Sequence, residues 1–145
     1  MKGSAPTFKT KNMELTNEIT DIINTYHATT IEAHNLAYLM GMRKELSIKA
    51  FELGKVVSNY KYHKEVTTAQ RKSLYAKKKL YYLSGATLGK AELLAEEQIE
   101  EIRLKEAKYD GLYMGAKIVL EQTNEVISSI MQDVSQLRLE YKNQA

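Results

Sequence analysis

The chain has 145 residues, 43% of them hydrophobic, and a net charge of +3. This length fits one domain with its own core. It contains no cysteine, which excludes disulfides, thiolate metal ligands and a nucleophilic thiol. No run of 18 apolar residues occurs, which excludes a membrane-spanning helix.

Proline and glycine are scarce along the chain. The only proline is Pro6, and six glycines are spread over the 139 residues that follow it. This composition favours helix throughout. We therefore predict an all-α fold of long amphipathic helices, forming a hairpin or bundle that assembles into a homo-oligomer. We expect residues 1–11 to be a flexible basic tail and residues 12–145 to form a single helical domain.

The first half of the domain carries three apolar faces. A first helix is predicted over residues 12–26, and Thr29 and Glu32 fit a capping box that starts a long second helix. That long helix has a first stripe at three- and four-residue steps, made of Leu39, Met42, Leu46, Ala50, Leu53, Val57 and Tyr60. A second stripe follows in the same rhythm, made of Tyr62, Val66, Ala69, Ser73, Ala76 and Leu80. Either the helix breaks near Ser58-Asn59, or one continuous helix presents two faces to different partners.

Charge is distributed unevenly. Residues 43–90 hold 12 Lys/Arg against three acids, whereas the last 55 residues hold six against 11. Within a basic helical region at 30–85, a basic arc falls within about 120° on a helical wheel. The arc consists of Lys61, Lys64, Arg71, Lys72, Lys78 and Lys79, with Tyr75 and Tyr82 among them. Such clustering attracts polyanions, although the alternative is an ordinary solvated helix face.

An acidic and amphipathic region is predicted at 90–142. Ser84-Gly85 should end the basic helix, with Gly85 in the left-handed conformation. An acidic helix then covers about 90–108, with a bend or interruption at Tyr109-Asp110-Gly111. The last helix carries an apolar face suited to subunit contacts. Its predicted oligomerisation residues are Val119, Val126, Ile130, Val134, Leu137 and Tyr141.

Catalytic signatures are missing from the sequence. No H-E-x-x-H motif, phosphate-binding loop or Ser/His/Asp arrangement is present. The glutamates at 96, 97, 100 and 101 resemble a solvated helix face more than a magnesium site. We therefore expect no enzyme activity, no cofactor and no metal.

The segment Lys77 to Gly85, KKKLYYLSG, resembles a motif of the UvsY-type recombination mediators of tailed phages. That motif has basic-x-basic-Leu, one or two aromatics and then Ser-Gly. Lys77, Lys79, Leu80, Tyr82, Ser84 and Gly85 occupy those places. The family commonly has arginine where this chain has Lys79, and often tyrosine where it has Leu83.

The resemblance implies a ring-forming helical protein that binds single-stranded DNA and helps to load a strand-exchange recombinase onto DNA covered by single-strand-binding protein. Lys77 and Lys79 would contact the DNA backbone. From the helical wheel we add Lys61, Lys64, Arg71, Lys72, Lys78 and Tyr82 to this site. Such a protein would act in the cytoplasm, that of the host cell if a phage encodes it.

A second hypothesis explains the same charges without DNA. The basic and acidic segments would pair between subunits of a non-catalytic scaffold or adaptor protein. The sequence leaves open the subunit number, the preference for DNA over RNA, and whether the tyrosines stack on bases or pack between helices.

Overall fold

The computed structural model of the chain describes residues 7–30 and 35–145, apart from the side chain of Phe8, and this part is helical. Its helices are α1 (Phe8–Ala28), α2 (Leu36–Leu83), α3 (Leu88–Gln98) and α4 (Glu100–Asn143). The all-α prediction is confirmed, and the assembly into a homo-oligomer stays a prediction. α2 runs without a break through residues 58–61, so the long helix does present two faces.

The helix starts differ from the predicted ones. Thr7 caps α1 by accepting a hydrogen bond from the Thr10 N–H at 3.2 Å. The helix therefore begins at Phe8, and residues 8–11 are helical although we assigned them to a tail.

Thr29 was predicted to cap the start of the long helix, and this prediction is wrong. Thr29 is the C-cap of α1, with its N–H bonded to the Tyr26 carbonyl. α2 begins at Leu36 because the Asn35 side chain accepts a hydrogen bond from the Tyr38 N–H at 2.7 Å. Glu32, the other half of the predicted capping box, lies outside the described residues.

Gly85 does not adopt the predicted left-handed conformation; no described residue has a positive φ. α2 ends at Leu83 with other partners for its last carbonyls. The Gly85 N–H bonds to the Tyr82 carbonyl at 3.2 Å, and the Ser84 hydroxyl donates to the Tyr81 carbonyl at 2.8 Å. These bonds satisfy the helix end without a left-handed residue.

The predicted interruption at residues 109–111 is also wrong. These residues lie inside α4, and the break between α3 and α4 falls at Ile99. Ile99 is buried, and the acidic Glu100 and Glu101 that follow it occupy the first turn of α4. Carboxylates at a helix start favour initiation there, because they face the positive end of the helix dipole.

The chain divides into two compact units, and the first comprises Met1–Val56 with Ala116–Ala145. Its core is formed by α1, the first part of α2 and the last part of α4. The first stripe of α2 is confirmed as core by its buried residues Leu39, Met42, Leu46, Ala50 and Leu53. Polar contacts join the same helices: Lys49 Nζ lies 2.5 Å from Glu18 Oε2, and the Tyr26 hydroxyl donates to Asp133 Oδ2 at 2.5 Å. Burial and this hydrogen bond raise the pKa of Tyr26 to about 12.

The second unit is Val57–Gly115, formed by the rest of α2, by α3 and by the start of α4. Its buried side chains are Tyr60 and Thr67 on α2, Ala91 and Ala95 on α3, and Ile99 between α3 and α4. The Thr67 hydroxyl donates to the His63 carbonyl at 2.7 Å, which satisfies it inside the helix. Within the described residues, no helix has the length and hydropathy needed to cross a lipid bilayer.

Two isoleucines of α4 test the core of the first unit. Ile130 is 0% exposed and Ile118 is 48% exposed. We expect Ile130→Ala to lower the free energy of unfolding by about 2–5 kcal/mol, because it leaves a cavity. Ile118→Ala should cost less than about 1 kcal/mol. Urea unfolding of both variants measures the difference, and equal losses would contradict the assignment of Ile130 to the core.

Candidate nucleic-acid interface

The basic arc of α2 meets the acidic helices through a series of ion pairs. Lys64 Nζ lies 2.6 Å from Asp110 Oδ1, and Lys79 Nζ lies 2.9 Å from Glu92 Oε1. Between them, the Arg71 side chain pairs with Glu106. The partner numbers fall as the α2 numbers rise, so the two sides of the second unit run antiparallel.

This pairing places most of the basic arc on the inner side of the unit. Lys64, Arg71, Lys78 and Lys79 are all half-buried. Tyr75 and Tyr82, which lie on the same arc, are half-buried as well. The arc that we predicted to be a DNA-binding surface is therefore largely the face by which α2 packs against α3 and α4.

Electrostatics inside the unit keep these groups charged. Hydrogen bonds to Asp110 and Glu92 raise the pKa of Lys64 and of Lys79, respectively. The hydrogen bond from Arg71, helped by one from Thr68, lowers the pKa of Glu106. The exposed charge of Lys72 also contributes to that lowering.

Tyrosine rings line the same cations. Lys64 Nζ lies 5.3 Å from the centre of the Tyr113 ring, and Lys79 Nζ lies 6.0 Å from that of Tyr75. Both distances fall in the range of cation–π attraction. Tyr75 therefore packs against a lysine within the chain, which leaves it poorly placed for stacking on a base.

Three other predicted site residues of α2, Lys61, Lys72 and Lys77, are exposed. Lys72 and Lys77 are exposed, and within the described residues neither makes an ion pair. Lys78, which is half-buried on the inner side, also makes no ion pair among the described residues. Lys61 is exposed and lies 4.0 Å from Glu65, one turn along its own helix.

The second stripe defines the outer side of α2, which is largely exposed. Val66 is half-buried, and its other members Tyr62, Ala69, Ser73, Ala76 and Leu80 are exposed. Leu80 and the neighbouring Tyr81 are each 71% exposed. Tyr81 meets Tyr82 edge to face, with ring centres 5.3 Å apart. The outer side thus combines exposed lysines with an exposed aromatic ring.

The predicted oligomerisation residues divide into two groups. Val126, Ile130 and Val134 are buried in the core of the first unit, so their own chain already covers them. Val119 and Leu137 are half-buried, and Tyr141 is exposed. Only the second group has surface to offer another subunit without opening the core.

No group of three or more possible metal-ligating side chains occurs in the described part of the chain. The predicted glutamate face lies at the junction of α3 and α4. Glu96 pairs with Arg103, and Glu97, Glu100 and Glu101 are exposed. His63 stacks on Tyr109 with ring centres 5.1 Å apart.

Sequence reasoning missed three acidic residues that decide how the basic arc is used: Glu92, Glu106 and Asp110. The spacing of their basic partners could have indicated them. Lys64, Arg71 and Lys79 recur at seven and eight residues, which is two helical turns. Such a series needs a facing helix with acids on one side, and an antiparallel alignment of the two segments would have identified it.

Comparisons with known proteins add no assignment, since no family model, curated protein or solved structure matches this chain. The resemblance of residues 77–85 to the recombination mediators stays a prediction.

The ion pair of Arg71 and Glu106 gives the stability a defined pH dependence. Because the pKa of Glu106 is lowered from its ordinary 4.5, its contribution is complete above that pH and is lost as pH falls through the lowered value. We expect Glu106→Gln to reduce the free energy of unfolding at pH 7 by up to about 1 kcal/mol, a value limited by solvent screening.

Chemical denaturation at several pH values between 7 and 2 measures this effect. The difference between parent and variant should shrink as the pH falls. Glu125→Gln is the control, because Glu125 lies on the same helix, is exposed and makes no ion pair in the described part of the chain. A loss that is independent of pH would show that the charge of Glu106 is not its source.

Proposed function

We propose that this protein is a non-catalytic, homo-oligomeric mediator of recombination that binds single-stranded DNA through the outer side of α2. The observation that carries the proposal is the pair of exposed lysines, Lys72 and Lys77, close in sequence to the exposed Leu80 and Tyr81. Loading of a recombinase onto DNA covered by single-strand-binding protein rests on the motif resemblance alone. The protein would carry out this step in the cytoplasm.

The chemistry suits a single strand of any sequence. Lysines neutralise phosphates and release counterions. An exposed tyrosine ring offers a stacking surface worth about 1–3 kcal/mol per base. One subunit presents few such contacts, and several subunits on one strand would add them through avidity.

Lys79 would have a different role from Lys77 in DNA binding. Its ammonium group is already held by Glu92, so a phosphate must displace that carboxylate before it can bind. Partly exposed ion pairs contribute little net stability, which makes such an exchange inexpensive. Lys77 would make the first contact, and Lys79 would join only after leaving Glu92.

The exposed lysines give the first test of this proposal. We expect Lys72→Ala combined with Lys77→Ala to weaken binding of a fluorescent single-stranded oligonucleotide at least tenfold at low salt. The log–log salt slope should fall by ~1.4, since each lost phosphate contact removes ~0.7. Fluorescence anisotropy at several salt concentrations measures both quantities.

Lys105→Ala combined with Lys108→Ala is the matched control. These two lysines are also exposed, belong to the same unit and make no ion pair among the described residues. The control removes the same charge from α4 instead of α2. If both double variants lose affinity equally, overall charge explains the binding, and the site assignment is wrong.

Glu92 gives the second test. Glu92→Gln removes the countercharge of Lys79 and should raise the affinity for the oligonucleotide several-fold. Glu101→Gln removes one exposed charge from the same unit without releasing a lysine, so its effect should be smaller. Adding Lys79→Ala to Glu92→Gln should abolish the gain, and a gain that survives would exclude competition at Lys79.

The ion pairs also favour a second candidate function. Within one chain, acids of α3 and α4 pair with cations of the basic arc. A charge-assembled scaffold would use the same kind of pairing between subunits. A scaffold would ignore oligonucleotides, and its assembly would loosen as salt rises. Light scattering during the oligonucleotide titration separates the two candidates, because only the mediator gains DNA mass.

A further inference from the structure

A basic ridge follows the outer side of α2 in the first unit. It consists of Met40, Lys44, Ile48, Phe51 and Lys55, spaced by three or four residues along the helix. All five side chains are exposed, Phe51 to 68%. The ridge is about 22 Å long, which is enough for a helix–helix contact of four turns. Exposed apolar side chains in such a row mark an interaction surface.

The charges of this ridge have no acidic partner within the described part of the chain. Lys44 makes no ion pair, and Lys55 Nζ instead lies 4.7 Å from the centre of the Phe51 ring. The neighbouring Arg43 is exposed and makes no ion pair either. By contrast, Lys49 on the inner side of the same helix is paired with Glu18.

An acidic edge of opposite character lies at the junction of α3 and α4. Leu93 and Glu97 are one turn apart on α3, and Glu100 and Leu104 are one turn apart on α4. All four are exposed, and the two leucines are among the most exposed apolar residues of the chain. Neither Glu97 nor Glu100 makes an ion pair within the residues described.

We propose that the basic ridge binds the acidic edge of a second copy of this chain. Each surface combines exposed apolar residues with uncompensated charge, and the two charges are opposite. By comparison, Lys64 and Lys79 face neighbouring helices and are paired with acids of α4 and α3 inside the chain. The contact deepens the proposed function, because it supplies the subunit interface that the mediator requires.

A second copy fits the ridge better than an anionic membrane does. Glu45 and Glu52 are exposed on the same segment of α2, and they would repel acidic lipid headgroups. Facing a protein, these carboxylates can lie at the rim, where they remain in water. Because the two surfaces differ, the contact is heterologous, and it continues from copy to copy until a ring closes or a filament forms.

Charge reversal tests this interface. One variant carries Lys44→Glu and Lys55→Glu, and a second carries Glu97→Lys and Glu100→Lys. By light scattering, the parent should be a multiple of 16.6 kDa, whereas each variant alone should have the mass of one chain. An equimolar mixture should regain the parental assembly with the two variants alternating, because the ridge of each variant is opposite in charge to the edge of the other. A single chain with all four changes should regain the assembly.

The control reverses two other exposed lysines, Lys9→Glu and Lys142→Glu, and it should leave the mass unchanged. Circular dichroism verifies that each variant keeps its helices. A parent that stays a single chain, or variants that keep the parental mass, would overturn the interface.

The failures of the interface and of the proposed function are distinguishable. Single-chain variants still carry Lys72 and Lys77, so they should bind a short oligonucleotide, although without avidity. A parent that assembles through this interface but ignores DNA would contradict the mediator and leave the interface standing.

Discussion

The second unit depends on bringing a lysine-rich helix face out of water. Half-burial of Lys64, Arg71 and Lys79 removes part of their hydration, and nearby countercharges offset this loss. Asp110, Glu106 and Glu92 provide these countercharges from the facing helices. The pairs fix which side of α2 packs inward, and they fix the alignment of α2 with the start of α4. Its few buried side chains, Tyr60, Thr67, Ala91, Ala95 and Ile99, are non-directional contacts apart from the threonine hydroxyl, whereas each ion pair joins two specific residues.

The same constraint limits how the protein can bind a polyanion. A strand that approaches the inner cations competes with carboxylates that are already paired with them, whereas Lys72 and Lys77 make no ion pair among the described residues that a strand must break. The two groups of lysines therefore differ in what binding costs, although the sequence makes them look alike. The motif residues fall into different groups, since Lys77 faces solvent and Lys79 is paired with Glu92. For the proposed binding of DNA, this difference predicts two stages.

The apolar patterns within one helix were predictable, but which face of a helix packs against another helix was not. The first stripe of α2 became core because large apolar residues at helical spacing have few alternatives. The second stripe has the same spacing but weaker side chains, such as Ala69 and Ser73, and it stayed exposed. The basic face of α2 packs against α4 instead, because acids of α4 pair with it. The sequence of α2 alone does not reveal this. The break at Ile99 was also missed, because neither proline nor glycine marks it.

The candidate site shows the same division. Charge clustering singled out one segment of α2, but it could not tell an outer lysine from an inner one. Both kinds recur at helical spacing, and only the position of the facing helix separates them.

The lysines that make no ion pair with a carboxylate are then the informative ones. In the first unit, Lys44 lies among exposed apolar residues, which suits a protein partner. In the second unit, Lys77 lies near an exposed tyrosine and small residues, which suits a flexible strand. The neighbours of each lysine, more than its charge, decide what it can bind.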